Sequence, residues 1–69
     1  MEITINNTLK IFEGYDSLSV QQLLNLEIPE RQKGIALAIN NTVIPRSEWQ
    51  HHRIQRQDKI IIIKATQGG

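Results

Sequence analysis

The sequence predicts an α+β domain in which one mixed sheet curls over one helix. Three observations carry this. Apolar residues alternate on either side of Asn6-Asn7, a single helix is signalled around residues 19–28, and a run of four isoleucines lies at Ile60–Ile63. Alternation is the mark of a half-buried strand. A strand apolar on both faces belongs at the centre of a sheet.

The elements follow in order. Ile3 and Ile5 share one face of a first strand, and Leu9 and Ile11 alternate in a second. Asn6-Asn7 between them suits a tight hairpin turn, because Asn tolerates positive φ. Gly14 closes this unit. Ser19 and Gln22 have the spacing of a capping box, with Leu18 and Leu23 at the positions of a hydrophobic staple. Val20, Leu23 and Leu24 form the apolar stripe of a short helix, and Pro29 ends it by about Ile28. Ile35-Ala36-Leu37-Ala38-Ile39 alternates bulky and small residues, so the bulky ones should face the helix. Asn40-Asn41 is a second turn, followed by a short strand at Thr42-Val43-Ile44 that Pro45 terminates. Ser47-Glu48-Trp49 reads as one helical turn and Gln57-Asp58 as a further turn. The last strand, Lys59–Lys64, should lie between the hairpin and the third strand, parallel to the first. That arrangement is a β-grasp. It gives one domain over residues 1–65 and a flexible tail over 66–69.

Composition narrows the function. At 69 residues the chain is one small domain, with limited buried surface to hold it together. It has no Cys, so neither disulfides nor a thiolate metal site can reinforce it, which suits a reducing cytoplasm. A net charge of +1 with no polybasic run lacks the basic signature of a nucleic-acid binder. The start shows no signal-peptide pattern. The Ile60–Ile63 run is far too short to cross a bilayer. No partner is expected among nucleic acids or membranes.

Nor does the sequence offer catalysis. It contains no nucleophile elbow and no Gly-rich loop ahead of a helix. His51 and His52 are adjacent, so their rings diverge and chelate poorly; no metal site is expected. A chain this small has little room for a substrate pocket of hundreds of Å3. Trp49 reads as a core anchor that closes the sheet edge beside Val43 and Ile44. No catalytic residue is assigned.

The tail is the chemically distinctive segment. Ala65-Thr66-Gln67-Gly68-Gly69 has little to bury, and five extended residues reach roughly 15 Å. Gly lacks Cβ and accepts backbone angles closed to other residues, so Gly68 and Gly69 suit a narrow enzymatic slot. In the body of the chain, parity along the last strand puts Ile60 and Ile62 on one face and Ile61 and Ile63 on the other. Counting back from the Gly-Gly pair, as in ubiquitin-like proteins, places Ile60 and Ile62 inside. Ile61 and Ile63 then form an apolar docking patch beside the tail. Arg46, presented after the rigid Pro45, is a further candidate for partner contact.

Four segments together resemble one family: Ala38-Ile39-Asn40, Val43-Ile44-Pro45-Arg46-Ser47-Glu48-Trp49, Asp58-Lys59-Ile60 and Gln67-Gly68-Gly69. They are similar to the thiamine-biosynthesis sulfur carriers, the ThiS family, which have a ubiquitin-like β-grasp fold. The detailed match covers roughly residues 36–69, and the first half agrees in pattern rather than motif. The resemblance implies a protein substrate rather than an enzyme. A ThiF-like adenylating enzyme would use ATP and magnesium to couple AMP to Gly69, with Gly68 its required neighbour. Sulfur from a persulfide donor would then make a thiocarboxylate, delivered to thiazole synthase. No cofactor would be bound by the carrier itself.

Two departures from the family pattern stand out. Gln57 occupies a position where the family usually has Gly, which implies a strained or altered turn. Ile61 occupies one where the family often has an acidic residue, which implies extra exposed apolar surface. Two rivals remain at this point. One is the small subunit of molybdopterin synthase, usually longer and often with a Pro pair before its Gly-Gly. The other is a β-grasp interaction module with an inert tail.

Overall fold

The computed structural model describes residues 1–30 and 32–64. The expected boundary at residue 65, and with it Gln67, Gly68 and Gly69, lies outside the described residues. The strands are β1 (Glu2–Ile5), β2 (Thr8–Ile11), β3 (Leu18–Ser19), β4 (Ile35–Ile39), β5 (Thr42–Val43), β6 (Arg53–Ile54) and β7 (Lys59–Lys64). The helix α1 spans Val20–Glu27, and a 3₁₀ turn spans Arg46–Glu48.

The main sheet has the order β2-β1-β7-β4-β5. β7 is central and runs parallel to β1 and antiparallel to β4. This is the mixed sheet expected from the sequence. Both hairpin turns place two consecutive asparagines at positive φ: 50° and 68° at Asn6 and Asn7, 49° and 71° at Asn40 and Asn41. Two such residues are what a type I′ turn demands, and its twist matches that of the strands it joins.

The helix begins as its sequence indicates. Ser19 Oγ accepts from the Gln22 N–H at 3.1 Å, and the Ser19 N–H donates to Gln22 Oε1 at 2.9 Å. Both orphan donors are thereby satisfied. Leu18, Val20, Leu23 and Leu24 are buried against Ile3, Ile5, Leu37, Ile39 and Ile60. The large residues of β4 face inward, as the alternation requires.

Two findings depart from the expectation. A second, two-stranded sheet pairs β3 with β6, Leu18 opposite Ile54 and Ser19 opposite Arg53. It seats Ile54 in the core with no exposure. Ile54 is a lone apolar residue in a polar stretch, too short for any periodicity to show. The second departure concerns Val43. Trp49 is a core anchor as expected, 2% exposed, and its Nε1 donates to the Ile44 carbonyl at 2.9 Å. Val43, however, is 64% exposed and faces away. Neighbours in a strand point to opposite sides, so with Ile44 beneath Trp49, Val43 must point out.

The turn at Gln57 is strained in the sense its departure from Gly implied. Its φ is 66°, a region costly for a residue with Cβ. Asp58 holds the turn together: its Oδ2 accepts from the Gln55 N–H at 2.8 Å, and its Oδ1 accepts from Asn40 Nδ2 at 3.1 Å.

Candidate docking face and tail base

The outer face of the sheet can be read from the strand register. Residues opposite one another share a face. Ile61 lies opposite Ala38, and Ala38 lies opposite Val43; Ile63 lies opposite Ala36. A continuous apolar surface therefore crosses β7, β4 and β5. Ile63 is 53% exposed and Ile61 half-buried. Ile60, by contrast, has no exposure, and Ile62 packs against the core. The faces fall as parity and the count from Gly-Gly suggest.

The surface is larger than Ile61 and Ile63 alone. The alanines of β4 keep it flat, and Val43 extends it to the sheet edge. The signal for Val43 was present in Thr42-Val43-Ile44, where only one of the two apolar neighbours can face inward. Leu9 and Ile11 also lie on the outer face, opposite Thr4 and Glu2, and are exposed.

Arg46 is held on other contacts. Its Nη donates to the Gln32 carbonyl at 2.8 Å, and its guanidinium carbon stands 4.6 Å from the centroid of the Trp49 ring. Cation–π stacking of this kind is worth about 0.5–1 kcal/mol at an exposed site. Arg46 thus ties the 3₁₀ turn to the segment ahead of β4 and covers Trp49, while its side chain stays exposed.

The row from Ile61 to Val43 carries no titratable group, and Lys59 and Lys64 stand exposed at the two ends of β7. Among the described residues no three His, Cys, Asp or Glu side chains come together as a metal cluster would. His51 and His52 take part through their backbone: the His52 carbonyl accepts from the Val20 N–H at 3.0 Å. A hollow lined by Met1, Glu2, Ile11, Arg56 and Gln57 lies beside the turn that precedes β7. No described helix is long and apolar enough to cross a membrane.

A mixed sheet over one helix, with an apolar outer face beside the last strand's end, defines a ubiquitin-like β-grasp protein. Comparison with known proteins agrees. The model of the ThiS family matches residues 3–69. The sulfur carrier protein ThiS of Escherichia coli (strain K12) is 39% identical over 51 residues, 74% of this chain and 76% of that protein. The crystal structure of a thiamine biosynthesis protein (ThiS) from Geobacter metallireducens superposes with a TM-score of 0.90 at 22% identity, covering both chains fully. A solution structure of a thiamine biosynthesis protein from the same organism gives 0.81 at 22% identity, covering all of this chain and 88% of that one. At that identity the two structures speak for the fold. The chain belongs to the ThiS family, a family of sulfur carrier proteins.

Proposed function

We propose that this chain carries sulfur for thiazole synthesis as a thiocarboxylate on Gly69. The observation that carries the reading is the family match, which runs through the body and reaches Gly69. A free carboxylate is resonance-stabilised and a poor electrophile. Coupling to AMP, with pyrophosphate released from ATP, converts it to a mixed anhydride. The outer sulfur of a persulfide attacks its carbonyl and AMP leaves. A thiol then reduces the S–S bond of the acyl disulfide to free the thiocarboxylate. The carrier performs none of these steps. A ThiF-like adenylating enzyme supplies ATP and magnesium, a persulfide donor supplies sulfur, and thiazole synthase receives it. All of this belongs in the cytoplasm.

The body contributes binding energy away from the reacting carbon. Such remote contacts offset the cost of threading and orienting a tail. Ile61, Ile63 and Val43 form the docking surface, Gln67 and Gly68 lead into the slot, and Gly69 is modified. Arg46 fixes the segment around Trp49 and, exposed as it is, also offers a contact to the partner. The family match favours the thiamine branch over molybdopterin synthesis, and a carrier over an inert module. Complementation in two bacterial strains tests this, one lacking its thiamine sulfur carrier and one its molybdopterin counterpart. We expect the gene to restore growth without thiazole in the first strain only. Rescue of the second alone would overturn the pathway, and rescue of neither would favour the inert module.

A further inference from the structure

Strand β7 is held unequally on its two sides. On one side β4 pairs with it from Ile60 to Lys64. On the other, the ladder with β1 comprises Thr4 opposite Lys59 and Ile5 opposite Ile60. β1 then turns away at Asn6 while β7 continues toward the tail.

At that point a side chain takes the place of a strand. The Asn6 N–H donates to the Ile60 carbonyl at 2.9 Å. Its Oδ1 accepts from the Ile62 N–H at 2.8 Å, and its Nδ2 lies 3.4 Å from the Ile62 carbonyl oxygen. A carboxamide has the same donor and acceptor as a peptide group, so Asn6 supplies one more rung of the ladder. The turn does not require this. Gly adopts positive φ more readily than Asn, and Asn7 occupies the same turn with no such bond described.

Asn40 provides a contrast. It flanks β7 from the other side, where its Oδ1 accepts from the Lys59 N–H at 2.9 Å. It grips the start of the strand. Asn6 grips the end, at a residue flanked by Ile61 and Ile63 of the docking surface and close to the tail.

From this geometry we infer that Asn6 is a positioning residue, which sets the direction in which the tail leaves the sheet and so its delivery into the adenylating enzyme. The inference rests on the carrier reading above. The body docks through Ile61 and Ile63 whether or not the clamp exists, so its loss should reduce productive insertion rather than binding.

The test uses the full chain and its cognate adenylating enzyme, with Asn6→Gly, Asn6→Asp and Asn7→Gly as variants. Circular dichroism sets an assay temperature at which each is folded. Asn6→Gly should speed hydrogen exchange at the Ile62 amide. It should also lower kcat for adenylation about tenfold, with KM for the carrier little changed, as misplacement of a reacting group does. Asn6→Asp keeps the acceptor for Ile62 and should recover most of both properties. Asn7→Gly alters the same turn and should leave kcat unchanged. An unchanged Ile62 exchange rate or kcat in Asn6→Gly would overturn the inference. So would a loss in Asn7→Gly or Asn6→Asp as large as that in Asn6→Gly. Failure of the unaltered chain to be adenylated would instead overturn the carrier reading itself, and the inference with it.

Discussion

The two faces of β7 are built from the same residue and differ in what they do. Ile60 has no exposure and lies in the core beneath the sheet, while Ile63 is 53% exposed on the opposite face. Between them, Ile62 packs against the core and Ile61 lies half-buried in the outer row. Hydrophobicity is identical at all four positions, so it cannot assign them. The difference arises from the pleat and from the single helix, which covers one face only. In a chain of this size the uncovered face of a central strand becomes its apolar exterior. Burial also declines along the strand on the core side, from Ile60 to Ile62, so hold on the chain weakens toward the tail.

Substitution at adjacent positions should separate the faces most sharply. Ile60→Glu puts an unpaired carboxylate into the core. That costs several kcal/mol, against a total stability of about 5–15 kcal/mol for a small domain. The variant is expected to be unfolded by circular dichroism. Ile61→Glu should melt cooperatively near the unaltered protein. Its effect should appear in binding, where losing an apolar anchor worth about 1.4 kcal/mol weakens affinity for the adenylating enzyme about tenfold. Calorimetric titration of the enzyme with each variant measures this. A folded Ile60→Glu beside an unfolded Ile61→Glu would mean that the faces are exchanged.

A smaller effect is expected where the sequence leaves the family pattern. Gln57 sits at a φ of 66°, and its N–H donates to the Glu2 carbonyl at 2.7 Å, so the turn is fixed to the start of β1. Gln57→Gly relieves the left-handed strain of about 1–2 kcal/mol, partly offset by the greater freedom of Gly in the unfolded chain. The net gain should be about 1 kcal/mol in a denaturant titration, with adenylation unchanged. Lower stability would show that the Gln57 side chain contributes more than its backbone costs.

Much of this architecture was legible in the sequence because local rules agree with the global fold. The Ser19–Gln22 spacing identifies the helix start, both Asn-Asn pairs mark the tight turns, and the four isoleucines identify the central strand. The β3–β6 ribbon was not legible, since two-residue strands have no period. Val43 was misplaced because Thr42-Val43-Ile44 is compatible with either parity until Trp49 selects Ile44. Asn6 illustrates a further limit. Its turn is written in the sequence, but its bond to Ile62 depends on β7 arriving beside it from far along the chain.

On the proposed function the docking face and the clamp both serve a reaction at Gly69, and the most direct measurement is the intact mass of the carrier after that reaction. The chain would be incubated with the adenylating enzyme, ATP, magnesium, a persulfide donor and a reducing thiol, then fragmented in the mass spectrometer. The expected product has one oxygen of the Gly69 carboxylate replaced by sulfur, and a chain lacking Gly69 remains unmodified while melting as before. Sulfur at any other position, or equal modification of the shortened chain, would contradict the account.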